Sequence, residues 1–224
     1  MLADRIFGIL CLMHRICAIH WLGLVPYAEA WQLQEQLAGE IAAGKRPPTL
    51  LLLEHPHTFT FGRRGRIENL LWDEAELARQ GASVHWVDRG GDVTYHGPGQ
   101  LVGYPIVLLS RPDVHRFVRS IEAALIEALS QFGVSGARIE GLTGVWTMGK
   151  KIASIGIGVR RWVTYHGFAL NVDTDLSYFR RIHLCGLKGR EATSIAEATG
   201  RKVPMEAVCD AVTLACGNHL RGFS

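Results

Sequence analysis

Apolar residues recur along this chain with two different periods, and the switches between them divide it into strands and helices. Ile16 to Leu24 reads as a first strand closed by Pro26, and Tyr27 to Ala43 then sets Ala30, Leu33, Leu37 and Ile41 at helical spacing before Gly44. Leu50 to Leu53 is an unbroken apolar run, as in a buried strand, and Thr58 to Phe61 starts another strand after the His55-Pro-His57 corner. A short helix over Trp72 to Gln80 stops at Gly81, and Val84 to Val87 and Leu101 to Leu109 are strands on either side of a glycine-rich stretch. The clearest helix begins at Pro112 and Asp113, carries Val114, Phe117, Val118, Ile121, Leu125, Leu129 and Phe132 on one side, and ends before Gly133. Gly144 to Thr147, Lys151 to Val159 and Thr164 to Val172 follow as three strands, and Pro204 opens a last helix to about Gly217.

Strands gather in runs with helices between the runs. That predicts an α+β fold: a single domain with a mixed β-sheet flanked by helices and, at most, a small C-terminal subregion. A length of 224 residues suits one fair-sized domain, and no linker or low-complexity segment interrupts it. Residues 1–12 form an uninformative lead. Ile6 to Met13 is apolar, but His14 and Arg15 end the run far short of a bilayer's width, so Met13 is an alternative start and no membrane role is expected.

Composition narrows the classes further. A net charge of +3, without a long basic run, gives no case for nucleic acid. The five cysteines (11, 17, 185, 209 and 216) form no Cys-x-x-Cys pair, and an odd count without secretory features reads as reduced and cytoplasmic. Cys209 and Cys216 fall on one face of a helical pattern, as small core residues do.

The chemistry gathers in three places. Arg89-Gly-Gly-Asp-Val-Thr-Tyr-His-Gly-Pro-Gly-Gln100 holds four glycines and both charge signs between two strands, which suggests a substrate cradle built from main chain. In Lys150 to Val159 a period of two puts Lys151 on the same face as Ala153, Ile155 and Ile157, while Lys150 points the other way. Burial there would favour the neutral, proton-accepting amine; the alternative is a lysine at a strand end that snorkels to water. Cys185 lies in Arg180 to Arg190 with four positive residues and one histidine, the setting of a low-pKa thiolate or of a buried cysteine beside a basic surface.

Other sites compete less well. Gly62-Arg-Arg-Gly-Arg66 would suit a phosphate or a solvated turn, and His55, His57, His96, His166 and His183 lack metal-ligand spacing, so no metal is expected. Val93-Thr-Tyr-His-Gly97 returns as Val163-Thr-Tyr-His-Gly167, too short for a structural repeat but able to bring two histidines to one site.

Taken together, Arg89 to Gln100, Lys151 to Gly156 with Tyr165 to Asn171, and Cys185-Gly186 resemble the lipoyl(octanoyl) transferases, over about Leu22 to Ile195. The resemblance implies the fold of biotin and lipoate protein ligases, with residues 13–224 as the catalytic domain. It implies an acyltransferase that moves an octanoyl group from acyl carrier protein to a lysine of lipoyl domains, without a cofactor. The acceptors it implies are the lipoyl domains of 2-oxoacid dehydrogenase subunits and the glycine cleavage H protein. Carried over by position, Cys185 is the acyl-accepting nucleophile and Lys151 its activator. Arg89, Gly90, Gly91, Asp92, Val93, Thr94, Tyr95 and His96, with Ser154, Ile155, Gly156, Gly167, Phe168 and Ala169, line the acyl pocket. Leu184 stands where the family usually has proline. An ATP-dependent lipoate or biotin ligase of the same fold is the alternative.

Overall fold

Leu50 to Leu53 explain the architecture best. Leu50 and Leu52 turn to one face of a sheet, and Leu51 and Leu53 to the other, where each meets a separate apolar core. Both faces are covered, so the strand reads as a continuous hydrophobic run rather than an alternating one.

The computed structural model describes residues 5–6, 18–183 and 189–223. Its strands are β1 (Arg5–Ile6), β2 (Ala18–Leu24), β3 (Thr49–Glu54), β4 (Thr58–Phe61), β5 (Ser83–Trp86), β6 (Val93–His96), β7 (Gln100–Ile106), β8 (Ala137–Ile139), β9 (Leu142–Thr147), β10 (Lys150–Arg160) and β11 (Val163–Asn171). Its helices are α1 (Tyr27–Ala42), α2 (Glu74–Arg79), α3 (Val114–Ser130), α4 (Ile195–Thr199) and α5 (Met205–His219). Eight strands form one sheet in the order β1-β2-β3-β7-β11-β10-β9-β8, and β5-β4-β6 form a smaller one. The sheet is mixed: β3 runs parallel to β2 and antiparallel to β7.

Helix α1 covers one face through Ala30, Leu37 and Ile41, and α3 with α5 covers the other through Phe117, Ile121, Leu125, Val208 and Val212. Each such side chain removed from water contributes ~1.5–3 kcal/mol, which is what fixes the helices on the sheet. Asp113 caps α3 by accepting the Arg116 N–H at 2.9 Å, and Gly133 follows its end at φ 78°.

Three features differ from expectation. Val93 to His96, read as part of a cradle, forms strand β6 paired with β4. The C-terminal helix is not a subregion, because α5 shares its core with α3. The strand expected over Leu101 to Leu109 ends at Ile106. Pro105 has no N–H for the ladder, and the Thr164 hydroxyl bonds its carbonyl at 2.7 Å instead.

Strands β7 and β11 meet closely at Gly167, where a Cβ would lie 1.9 Å from the Gly103 carbonyl oxygen. Gly167→Ala must therefore push backbone from backbone in mid-sheet. We expect a loss of at least the ~1–3 kcal/mol typical of overpacking, measured by chemical denaturation. A change no larger than that of a neutral surface substitution would contradict the contact.

Candidate active site

The glycine-rich segment lies across β10. The Gly90 N–H donates to the Ile157 carbonyl at 3.0 Å, and a Cβ on Gly156 would sit 2.7 Å from the Gly90 oxygen, so only glycine admits the crossing. The segment's two charges hold main chain. The Arg89 guanidinium is buried and donates to the Thr60 carbonyl (2.6 Å), the Thr60 hydroxyl (2.9 Å) and the Gly90 carbonyl (2.9 Å). Asp92 accepts the backbone N–H groups of Val93 (2.7 Å) and Arg66 (3.3 Å), and the side-chain amide of Asn69.

Beneath this segment is a cavity of about 500 Å³. Arg89 to Thr94 and His96 line it from one side, Ser154 to Gly156 and Gly167 to Ala169 from β10 and β11, and Lys151 from the start of β10. Tyr95 does not line it, which corrects the expectation that it shapes the wall. Alternation along β6 sends Thr94 and His96 to the cavity and Tyr95 the other way. There its hydroxyl meets His57 Nδ1 at 2.7 Å and its ring stacks on Tyr178.

Lys151 is buried, with Nζ 5.5 Å from the centroid of the Trp146 ring. Gly144 makes room for its stem, since a Cβ there would lie 2.8 Å from Lys151 Cε. The Gly144 N–H is held at 3.1 Å by Glu122, a fully buried carboxylate paired with Arg119 and Arg138. Lys150 points outward to Glu191 (3.0 Å) and Glu197 (3.5 Å), the opposite face expected from the alternation. Its main-chain neighbour Lys151 is tied on both sides, the N–H to the Glu191 carbonyl and the carbonyl to the Thr193 N–H, each at 2.9 Å. Cys185 and Leu184 lie outside the described residues. Upstream of them the His183 N–H donates to the Asn69 carbonyl at 2.9 Å. Of the other cysteines, Cys209 is buried in the core and burial pushes its thiol up to about 12, which suits an inert residue.

Tyr27, Tyr104 and His166 also line the cavity and were not foreseen as site residues. The repeated Val-Thr-Tyr-His-Gly motif was the one signal for His166, and both its histidines do reach the cavity. Gly62 to Arg66 offers no phosphate cradle, because the N–H groups of Arg63 and Arg64 donate to the Arg89 (2.9 Å) and Gly91 (3.0 Å) carbonyls.

Among the described residues no His, Cys, Asp and Glu side chains group as a metal site would need. The buried histidines are instead neutral partners in a hydrogen-bonded network. His55 donates from Nδ1 to the Val25 carbonyl (2.6 Å) and accepts the Tyr104 hydroxyl at Nε2 (2.7 Å). His96 donates from Nδ1 to Gln100 Oε1 (2.9 Å), whose amide is already donating to Tyr95 O and Asn171 Oδ1, and accepts the Thr60 hydroxyl at Nε2 (3.3 Å). His166 donates from Nε2 to Asp88 (3.1 Å) and accepts the Tyr27 hydroxyl at Nδ1 (3.4 Å). Burial holds the imidazoles of His55 and His166 down at about 4, and that of His96 well below its ordinary value. Burial alone would raise Asp88, but hydrogen bonds from Tyr165 and His166 outweigh it and lower the carboxyl.

This arrangement of a two-sided sheet and a glycine-rich segment over β10 is the fold of the lipoate protein ligases. A chain in the structure of the bi-partite lipoate protein ligase and E2 lipoyl domain of Thermoplasma acidophilum superposes with a TM-score of 0.71, covering 92% of this chain and 84% of its own, at 18% identity. Residues 26–217 match the lipoyl protein ligase A/B catalytic domain, and the chain belongs to that family. Within it, the chain is 54% identical to the octanoyltransferase of Syntrophotalea carbinolica over 189 residues, 84% of this chain and 86% of that one. It is 50% identical to the octanoyltransferase of Rubrobacter xylanophilus over 83% of this chain and 85% of that one.

The neutral histidines make stability depend on acid. Their folded pKa values lie below the unfolded value, so the unfolded chain takes protons first, and stability is lost as pH falls from about 6.5 towards 4. Each imidazole contributes a slope of up to ~1.4 kcal/mol per pH unit in that window. Denaturation at a series of pH values should show an uptake approaching three protons on unfolding near pH 5. No uptake would contradict the network.

Proposed function

We propose that this chain is an octanoyltransferase acting through Cys185 and Lys151, moving an octanoyl group from acyl carrier protein to a lysine of a lipoyl domain. The observation that carries the reading is the buried Lys151 at the cavity's edge, bonded through its own main chain to Glu191 and Thr193, just beyond Cys185 in sequence. Relatives named octanoyltransferases, half identical over most of their length, support the same activity.

The chemistry takes two steps. Lys151 accepts the proton of the Cys185 thiol, and the thiolate attacks the octanoyl thioester; the carrier's thiolate leaves and regains that proton from Lys151. The ε-amine of the acceptor lysine then attacks the enzyme thioester, forming an amide and returning the Cys185 thiol. Exchange between thioesters is nearly balanced and amide formation is downhill, so ATP is not needed. Main-chain N–H groups of the glycine-rich segments serve the oxyanion, each such donor typically worth ~3 kcal/mol. The acceptors follow the same reading: lipoyl domains of 2-oxoacid dehydrogenase subunits and the glycine cleavage H protein. A reduced thiol fits a cytoplasmic setting; among the described residues no helix is long and apolar enough to cross a membrane.

Mixing the protein with octanoyl-carrier protein should give an adduct of one octanoyl group by mass spectrometry, absent in Cys185→Ala. Lys151→Met should slow its formation by ~10²–10⁴, the range of a lost general base. An adduct that persists in Cys185→Ala, or transfer that requires ATP, would return the ligase alternative.

The carrier protein of this reading is acidic, and Arg63, Arg64 and Arg66 stand exposed beside the glycine-rich segment. Arg160 is less available, lying 3.7 Å from Glu35 and 3.8 Å from Asp88. Replacing the three loop arginines by serine should lower kcat/KM for carrier-bound substrate and flatten its salt dependence, with kcat little changed. A salt response equal to wild type would remove these residues from donor capture.

A further inference from the structure

Burying a carboxylate is costly unless its oxygens are well paired, yet Glu122 on α3 is wholly buried. The arginines it pairs with do not need it there, since Arg119 and Arg138 keep 53% and 41% of their side chains exposed. Nor does the helix, which Phe117, Ile121 and Leu125 already fix on the sheet. The two carboxylate oxygens divide their partners. Oε2 accepts both guanidinium groups, at 2.7 and 2.9 Å, and Oε1 accepts the Gly144 N–H at 3.1 Å. Glu122 thereby joins α3 to β8, through Arg138, and to β9, through Gly144.

The backbone that Oε1 holds lies directly under Lys151. Gly144 adopts φ 125°, which residues with a side chain rarely do. A Cβ there would lie 2.6 Å from the Ala153 carbonyl oxygen, 2.8 Å from Lys151 Cε and 3.4 Å from Lys151 Nζ. The bare Cα is thus a floor on which the lysine stem rests. Opposite it β10 is irregular: Lys151 pairs with Trp146 and Ala153 with Val145, leaving Ile152 as the extra residue of a bulge. Bulges recur beside active sites, where they re-aim a side chain and locally disrupt the ladder. At this point the ladder alone holds β9 and β10 together less firmly, and the bond from Glu122 anchors β9 from the helix side.

We infer that Glu122 is a positioning residue for Lys151, holding Gly144 as the floor that presents the lysine amine to the cavity in one place. This inference rests on the acyl-transfer reading above and deepens it, by naming what aligns the proton acceptor.

The test uses the full chain with octanoyl-carrier protein and follows the octanoyl adduct by mass spectrometry in a single turnover. Glu122→Asp keeps a charge for the two half-exposed arginines, which can follow it, but withdraws the oxygen from Gly144 by one methylene. Adduct formation at saturating donor should slow about tenfold to a hundredfold, as it does when reacting groups are misplaced, with half-saturation by the donor unchanged. The same change made in Lys151→Met should have less than about a twofold effect, because the group it serves is gone. Glu122→Gln keeps the length but has one oxygen for three donors; it should behave in the same way, and it stands in if the aspartate variant does not fold. Equal slowing in both backgrounds would make Glu122 purely structural, and no slowing beside the native lysine would make the floor dispensable. Either result overturns the inference and leaves transfer standing. Absence of an octanoyl adduct on the wild type overturns both.

Discussion

One hydrogen bond, from the Gly90 N–H to the carbonyl of Ile157, joins the small sheet's loop to the large sheet and makes the cavity possible. It forms because Gly156 has no side chain to hold the two backbones apart. Once it is made, Arg89 and Asp92 have their polar atoms committed to neighbouring main chain. Charges that look like ligands for a substrate are in this protein largely structural, stiffening a glycine-rich segment that would otherwise lose much entropy on being fixed. The segment presents to the cavity backbone, small side chains and the neutral ring of His96, with Arg89 and Asp92 held among them.

Two histidines share the cavity's lining. His96 and His166 occupy equivalent places in a repeated five-residue motif, but they reach the cavity differently. His96 comes from a regular strand and is held by Gln100 and Thr60. His166 comes from β11 at φ 55°, with its N–H taken by Gln34 Oε1 on α1. Tyr27 lies against both, stacked on His96 and bonded to His166. Several titratable rings thus sit in one buried cluster without a net charge, because each donates and accepts once and none is left to demand a proton.

How much of this was legible in the sequence depended on range. Strands such as Leu50 to Leu53 and helix α3 followed from local periodicity, and Lys151 from alternation along one strand. The glycine-rich segment announced itself by composition. Tyr95 misled because the direction of a side chain depends on where a four-residue strand starts, which composition does not reveal. Tyr27 gave no local sign: it opens α1, far in sequence from the histidines it touches. The turn at His166 is held by Gln34, 132 residues earlier, and only the tertiary fold brings the two together.

Lys151 has one further property, in the timing of folding. Its N–H and carbonyl are both engaged by Glu191 and Thr193, forty residues on (191 − 151). These partners flank the lysine where β11, paired with β10 only from Ala153 onward, has already left it. Closing a loop of that length comes after the local hairpins of β9, β10 and β11 have formed. A chain still emerging from the ribosome holds the lysine long before its bonds to Glu191 and Thr193 can form. Lys151 gains these last main-chain partners only as the domain completes itself, so on the proposed function a partly made chain is chemically idle.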